Sequence, residues 1–552
     1  MGRGFFWLGE IGFSPGCWDK MFNRFFFKPL ALHVAMLCVL VLPRYEVQYR
    51  VFSNEKAHGQ SEGLPQKPNL VLISVDDLND WVGCLNGHPQ AYTPHLDQLA
   101  KQGVLFSNAH CTATACNPSR AAIFSGRWPW KTGVWSNRSP RLFTQYPDIT
   151  VLPRVLSENG YKTWGCGKLM HSSAAANRLM FDVSFNPEQR WSPFTKESVR
   201  YSADEQMTKG TDNPKHIAQL DGVGPIRLPL NRMPSDRKPQ TNDGESFDWG
   251  ALPVTDEAMG DWEITDWAIK KLDEMTSDQP FMLGVGYYRP HIPLFAPKQY
   301  FARFEGLSVA LPPFRSDDLD DVSAAARHLA IAPETAGAHS TVVEFRQWQE
   351  AVKAYLACTT FVDQQIGRLV KALHRKGLYE NTVIVIFSDH GWHLGEKQHW
   401  GKWTGWERST RVPLVVISPD SNRHGRFAKD EHCKVPVNLL DLFPTICELC
   451  GIPPLEYLDG ESLVPLLLDP SGEDQERYSL STFGEGNYSL RGSRYRYIRY
   501  HSGQEELYEI ATDPNEWRNL AGSRENQSVV DSLRKHLERI LSDSNEKVLQ
   551  RD

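Results

Sequence analysis

Runs that are apolar at nearly every position constrain the fold of this chain more than any other feature: "NLVLISV" from Asn69, "FMLGVGYY" from Phe281, "TVIVIF" from Thr382 and "VPLVVIS" after Arg411. A strand with one face in water alternates polar and apolar residues. A continuous apolar run of strand length must be covered on both faces, as in a parallel sheet flanked by helices. The intervening segments supply the cover. "TPHLDQLAKQGVLF" reads as a helix and then a strand, and "WQEAVKAYLACTTFVDQQIGRLVKALHRKG" places Tyr355, Val362, Ile366, Leu369 and Leu373 at helical spacing. The alternation predicts an α/β fold built on a large mixed, mainly parallel sheet.

Two of these runs end in acids: the first leads into Asp76 and Asp77, and the third into Ser388, Asp389 and His390. Open parallel sheets bind ligands at the carboxyl ends of their strands, so these groups can meet although they are far apart in sequence. Carboxylates with an imidazole suit a hard divalent cation, Ca²⁺ or Mg²⁺, better than a thiolate-seeking metal. Either end taken alone also fits a helix N-cap. The stretch "CTATACNPSRAAIFSGR", Cys111 to Arg127, adds a third element. Pro118 suits a first helical turn and Gly126 an ending, which puts Cys116 at a helix N-terminus. That place favours an anion, either a thiolate or a bound oxyanion, and Arg120 one turn on adds positive charge. A buried structural cysteine beside a surface arginine is the alternative. A cysteine-phosphatase loop is excluded, because it needs five residues between Cys and Arg and this chain has three.

The chain has 552 residues, a formal net charge of -7 and a pI near 6.2, which supports a large domain with a smaller one and argues against polymeric nucleic acid as partner. Residues 1–45 read as an export signal or anchor: Arg24 and Lys28 precede an apolar run from Pro29 to Pro43 that is short for a membrane span. The long stretch before Met21 leaves a second start at Met21 open, and any membrane contact is expected only through an uncleaved signal. Residues 46–67 form a linker, 68–410 a catalytic domain and 411–552 a smaller C-terminal subdomain. A polar excursion from about Arg200 to Trp249 is expected to wall a cleft. The run "SLRGSRYRYIRY" alternates as an antiparallel strand would, with its arginines on a solvated face. The ten cysteines show no dense disulfide framework, and Cys447 and Cys450 are read as core packing at the end of an amphipathic helix.

At this point the residues carry a family resemblance. "CNPSRAAIFSGR" resembles the sulfatase signature C-x-P-S-R with its terminal G-R, in which the cysteine is oxidised to formylglycine. The other family elements follow in order: "SVDDLNDW", "GCGKLMH", "YYRPHIPLFAPKQYF", "FSDHGWHLGEKQHWGKWTGWE" and "RYRYIRY" with "EELYEIATDPNEWRNLA". The resemblance covers Pro68 to Gly522, and "RPHIP" with "SDHGWHLGE" brings it nearest to the iduronate-2-sulfatase-like branch, which includes bacterial polysaccharide sulfatases. It implies an alkaline-phosphatase-like sandwich, with helices on a large mixed, mainly parallel sheet and a smaller C-terminal α+β subdomain carrying an antiparallel sheet. It also implies one Ca²⁺ per chain, held by Asp76, Asp77, Asp389, His390 and modified Cys116, and a formylglycine-generating maturase as partner. Arg120 resembles the arginine that holds the formylglycine hydrate. Lys168, His171, His291 and Lys402 match sulfate-contacting or proton-transfer positions, with His291 as general acid and His171 assisting the second half of the reaction. His393 stays outside this set.

The implied chemistry explains the residue types. Anionic oxygens of a sulfate ester repel nucleophiles and its alcohol leaves poorly, so cations must offset the first problem and a proton donor the second. An aldehyde hydrate offers one hydroxyl to attack sulfur and another to expel sulfate afterwards. The resemblance therefore implies an exported enzyme, periplasmic or extracellular, or lysosome-like in a eukaryote, that hydrolyses sulfate esters of a sulfated saccharide, with a terminal 2-O-sulfated uronic acid as first candidate. The alternatives are a phosphomonoester or phosphonate-ester hydrolase of the same superfamily and an inactive carbohydrate-binding relative.

Overall fold

The apolar runs all lie in one eight-stranded sheet. The computed structural model describes residues 67–552 except 172, 187–198, 202–216, 221–222, 228, 237–245, 276–278, 333–336, 420–426, 473–475 and 544–552. The export segment, most of the linker and much of the excursion between Arg200 and Trp249 therefore lie outside the described residues. In chain order the strands are β1 (Asn69–Val75), β2 (Val104–Phe106), β3 (Lys162–Gly167), β4 (Val183–Phe185), β5 (Phe281–Tyr287), β6 (Thr382–Ser388), β7 (Leu414–Ile417) and β8 (Glu431–Cys433). Across the sheet they run β8-β2-β7-β6-β1-β5-β3-β4. Only β7 opposes its neighbours, β6 and β2; the other pairings are parallel.

Every position of β1, β5 and β6 is buried, as a continuous apolar run requires. The covering helices are α1 (Pro94–Ala100), α2 (Cys116–Ser125), α3 (Gly260–Asp273), α4 (Trp348–Arg375) and α5 (Leu442–Leu449). Successive strand side chains leave on opposite faces. Leu70 and Leu72 join Val383, Val385 and Phe387 in a core shared with Ile123 and Phe124 of α2 and Phe443 and Ile446 of α5. Val71, Ile73 and Val75 face Leu96 of α1, Ile264 and Leu272 of α3 and Val362, Ile366 and Leu369 of α4. Cys447 and Cys450 sit in the first of these cores, and the structure shows no disulfide among the described cysteines.

Residues 414–417 and 431–433, beyond the expected boundary at 410, still add strands to the large sheet. A separate four-stranded antiparallel sheet consists of β9 (Ser479–Thr482), β10 (Tyr488–Arg491), β11 (Tyr495–Arg499) and β12 (Glu505–Glu509), and α6 (Gln527–Asp543) packs on it through Val530, Leu533 and Leu537. The alternating run is a hairpin rather than one strand: Gly492 N donates to Tyr495 O at 2.9 Å across its turn. Two of its arginines also depart from the expected solvated face. Arg491 and Arg496 are buried, because Glu407 and Glu516 wait beneath them; Arg496 Nε lies 2.7 Å from Glu516 Oε1. Among the described residues no helix is long and apolar enough to cross a membrane.

The four central strands end level, with Val75 opposite both Tyr287 and Ser388 and Gly286 opposite Gly167. This alignment depends on glycine at the β3 exit. Gly167 has φ of +69°, and a Cβ there would lie 2.0 Å from Gly286 O. Gly377 has a similar φ of +66° but meets nothing within 4 Å. Both Gly→Ala changes carry the left-handed penalty of about 1–2 kcal/mol, and only Gly167→Ala adds a backbone collision. Differential scanning calorimetry is expected to show the larger drop in Tm for Gly167→Ala, together with lost activity.

Candidate active site

The carboxyl ends of β6, β1, β5 and β3, neighbours in the sheet, deliver side chains to one place. β1 runs into Asp76 and Asp77, β6 into Asp389 and His390, β3 into Lys168 and His171, and β5 into the loop bearing His291. Helix α2 starts at Cys116, after Ala115 in extended backbone (φ -158°), and ends at Gly126 with φ of +66°. Its first residue thus points its thiol at the strand ends. Cys116 is fully buried. Its Sγ lies 3.0 Å from Lys402 Nζ, 3.4 Å from Lys168 Nζ, 3.4 Å from His390 Nε2 and 3.6 Å from Asp76 Oδ1. His171 and His291 also hydrogen-bond with it. The whole expected set of side chains therefore converges, with His171 and His291 at 7% and 3% exposure lying as deep as the rest.

Charge is balanced inside this buried volume. Arg120 is completely enclosed: Nε donates to Asp389 Oδ2 at 2.8 Å, Nη1 to Ser74 Oγ at 3.1 Å and to the Lys168 and Leu169 carbonyls, and Nη2 lies 3.5 Å from Asp76 Oδ1. Lys168 pairs with Asp76, and Lys402 Nζ lies 2.7 Å from Asp77 Oδ1. Burial opposes ionisation of the Cys116 thiol, but Lys168, Lys402 and His390 outweigh it and hold its pKa well below the usual thiol range. Burial raises the Asp389 pKa despite Arg120. Burial lowers that of His291 despite Asp77. His390 goes the other way: Asp389 overcomes the burial penalty and raises it.

The donor set fits a hard cation. Ligand atoms of Asp76, Cys116, Asp389 and His390 lie within 4.8 Å of one another, and Asp77, Cys116 and His291 form a second such group sharing the thiol. Asp77 Oδ2 is buried without a hydrogen-bond partner among the described residues, and His291 Nε2 lies 3.8 Å from it. A carboxylate oxygen in that condition, beside two further carboxylates, is what a calcium-type site offers.

His393 makes a different kind of contact. Its Nε2 lies 3.0 Å from Thr404 Oγ1, which in turn lies 2.8 Å from Ser409 Oγ, so it ties the loop after β6 and does not reach the thiol cluster by any contact the structure shows. Sequence reading also passed over Asp261, in the first turn of α3. Its carboxylate accepts from Tyr288 N and Arg289 N, each at 2.8 Å, and so anchors the loop that carries His291. An acid in a first helical turn looks ordinary in sequence, because any such residue favours the helix dipole. Among the basic residues of the excursion between Arg200 and Trp249, the Arg227 side chain lies outside what the structure describes, and Arg232 is exposed with its charge acting on Asp248.

A buried thiol shared by two lysines and an arginine-held pair of carboxylates is suited to chemistry on an anion, and the class of protein that fold and site define is a hydrolase of charged esters. Comparison with known proteins sharpens this. The sulfatase family profile matches residues 68–452, and that of the N-sulphoglucosamine sulphohydrolase C-terminal region matches residues 395–543. A sulfatase of Formosa agariphila is 33% identical over 492 residues, spanning 87% of this chain and 88% of the relative. Iduronate 2-sulfatase of Mus musculus is 29% identical over 415 residues, spanning 70% and 69%. Among solved structures, a 2-O GAG sulfatase superimposes with a TM-score of 0.64 at 22% identity, over 87% of this chain and 93% of that one. The phosphonate monoester hydrolase of Agrobacterium radiobacter reaches 0.65 at 21% identity, over 86% and 96%, which likewise shows the shared fold. The chain belongs to the sulfatase family and is a sulfuric ester hydrolase.

Removing the central cation should be costly whatever the substrate. Arg120→Met removes the close partner of buried Asp389, while Asp76 keeps Lys168; breaking a buried pair in this way typically costs about 3–5 kcal/mol. A marked fall in the thermal midpoint of the metal-free protein is expected; an unchanged midpoint would show that the carboxylates take up protons at no structural expense.

Proposed function

We propose that the protein releases sulfate from a terminal sugar of a sulfated polysaccharide, using Cys116 oxidised to formylglycine beside one Ca²⁺. The convergence of Lys402, Lys168, His390 and Asp76 within 3.6 Å of Cys116 Sγ is the observation that carries this reading. That sulfur stands where the oxygens of a formylglycine hydrate would be. Asp76, Asp77, Asp389 and His390 would hold the ion with the modified residue, and the ion when bound neutralises anionic oxygens. Arg120 keeps Asp389 and Asp76 in place and steadies the hydrate. Lys168 and Lys402 receive the sulfate oxygens. His291 Nδ1 faces the Ile292 carbonyl at 2.7 Å, so Nε2, the ring nitrogen on the Asp77 side, is the proposed proton donor to the departing alcohol. His171, on the same sulfur, takes a proton from the second hydroxyl.

The likeness to mouse iduronate 2-sulfatase and to a solved 2-O GAG sulfatase supports a sulfated saccharide, and a 2-O-sulfated uronic acid is the first candidate. Such a sugar carries a carboxylate beside the sulfate and calls for a cation besides Lys168 and Lys402; an arginine or lysine of the excursion between Arg200 and Trp249, for instance Arg227 or Arg232, is the proposed source. Residues 1–45 are proposed to export the enzyme, where it meets polymeric substrate, after a maturase has acted on Cys116. Residues 68–410 and 411–552 are the proposed catalytic domain and C-terminal subdomain.

Mass spectrometry of the Cys116 peptide is expected to show sulfur replaced by oxygen with loss of two hydrogens, a change no disulfide mimics. Cys116→Ala should fold and release no sulfate; ordinary turnover by that variant would reject the mechanism. Asp389→Asn should lose both calcium and activity, and full activity after exhaustive chelation would reject the metal assignment. A panel of defined sulfated sugars, run beside aryl sulfate and aryl phosphate, is expected to single out the 2-O-sulfated uronate. Turnover of sulfated galactose or fucose instead would reject the substrate, and a preference for phosphate the sulfate-ester reading of the site.

A further inference from the structure

The turn that presents Asp77 is held from outside the charge cluster. Asp77 has φ of +61°, in the left-handed region that a residue with a Cβ enters only when its surroundings impose it. Inside the charge cluster Lys402 engages Oδ1, and Asp77 N donates to Asp389 Oδ1 at 3.3 Å. A further restraint comes from helix α4. Tyr355, fully buried, donates from its hydroxyl to Asp77 O at 2.8 Å and accepts at the same oxygen from Asn79 N at 2.8 Å. One hydroxyl thereby satisfies the backbone groups on both sides of Leu78. The opposite side is tied by Ser388 Oγ, which accepts from Leu78 N at 3.0 Å and donates to His390 O at 2.9 Å. The Tyr355 ring meets Trp81 edge-on at 5.6 Å between centroids, so the hydroxyl has little freedom to leave.

We propose that Tyr355 is a positioning residue for the cation site: its hydroxyl fixes the left-handed turn so that the Asp77 carboxylate lies beside those of Asp76 and Asp389. The proposal rests on the calcium reading given above. Tyr355→Phe keeps the ring and removes only the atom that spans the turn, leaving Asp77 O and Asn79 N unmatched in a buried place. Groups that orient ligands without touching the metal commonly change its affinity by about 10–100-fold.

The test is calorimetric titration of Ca²⁺ into the metal-free protein. Tyr355→Phe is expected to weaken binding about 10–100-fold. Thr359→Val serves as comparison: Thr359 is buried on the same helix and, among the described residues, its Oγ1 bonds within that helix, to Tyr355 O at 2.9 Å, so its loss should lower the thermal midpoint without changing calcium affinity. A Tyr355→Phe protein that loses thermal stability yet binds calcium as tightly as wild type would overturn the proposal. If Tyr355→Phe does not fold, Ser388→Ala loosens the same turn from its other side; weakened calcium binding there supports the turn's role, and unchanged binding overturns it. A wild-type protein that binds no Ca²⁺ would overturn the calcium reading and this proposal together, which separates the two failures.

Discussion

The enclosure of Arg120 among carboxylates is the constraint on which the rest of the structure depends. Taking a guanidinium and two carboxylates out of water is expensive, and the attraction between them offsets that only with close geometry and fully used donors. Arg120 meets most of this demand: Nε and Nη1 donate to Asp389, Ser74 and two backbone carbonyls from the segment after β3, while Nη2 lies 3.5 Å from Asp76 without a hydrogen bond among the described residues. Those partners come from three strand ends, so the sheet must have its order and register correct before the charge is tolerated. An ion cluster of this kind adds little net stability by itself. It penalises any arrangement in which one partner is missing.

That requirement explains why the site lies where the four central strands stop. Level ends at Val75, Gly167, Tyr287 and Ser388 put acids, lysine and imidazole at one height. The N-terminus of α2 then brings Cys116 up from the other layer, where the positive end of the helix dipole adds to the surroundings made by Lys168 and Lys402. Layers on the opposite side reach in as well. Tyr355 comes from α4, which otherwise packs its apolar side on the sheet. A helix that reads as core cover thus also restrains the turn between the two aspartates.

The junction with the small sheet repeats the principle in a structural role. Arg496 is fully enclosed and pairs with Glu407 and Glu516, while Lys397 Nζ lies 2.8 Å from Asp318 Oδ1 beside the same seam. Glu407 follows shortly after Lys402 in the chain, and Glu516 Oε2 accepts its backbone N–H at 2.8 Å. The small sheet is therefore fastened to the segment that carries a site lysine. Its alternating sequence shows a strand face of arginines, but alternation reports only that the two faces differ. Whether the charged face meets water or buried acids depends on a segment elsewhere in the chain.

The sequence by itself determined the sheet, because runs without polar positions leave strands no exposed face, and it placed Cys116 at a helix N-terminus, because Pro118 and Gly126 delimit a helix that begins there. Residue chemistry at two strand ends was enough to locate Asp76, Asp77, Asp389 and His390. Only the tertiary structure decided which side chains restrain that constellation. Tyr355 and Asp261 belong to helices whose periodicity is fully explained by packing or by the helix dipole, and their polar atoms act on backbone groups of distant loops. A hydrogen bond to a remote amide leaves no periodic trace in the chain, since it needs one atom at one point in space, whereas burial of a strand or helix face needs a repeated pattern. The first kind of information appears only when the elements are brought together.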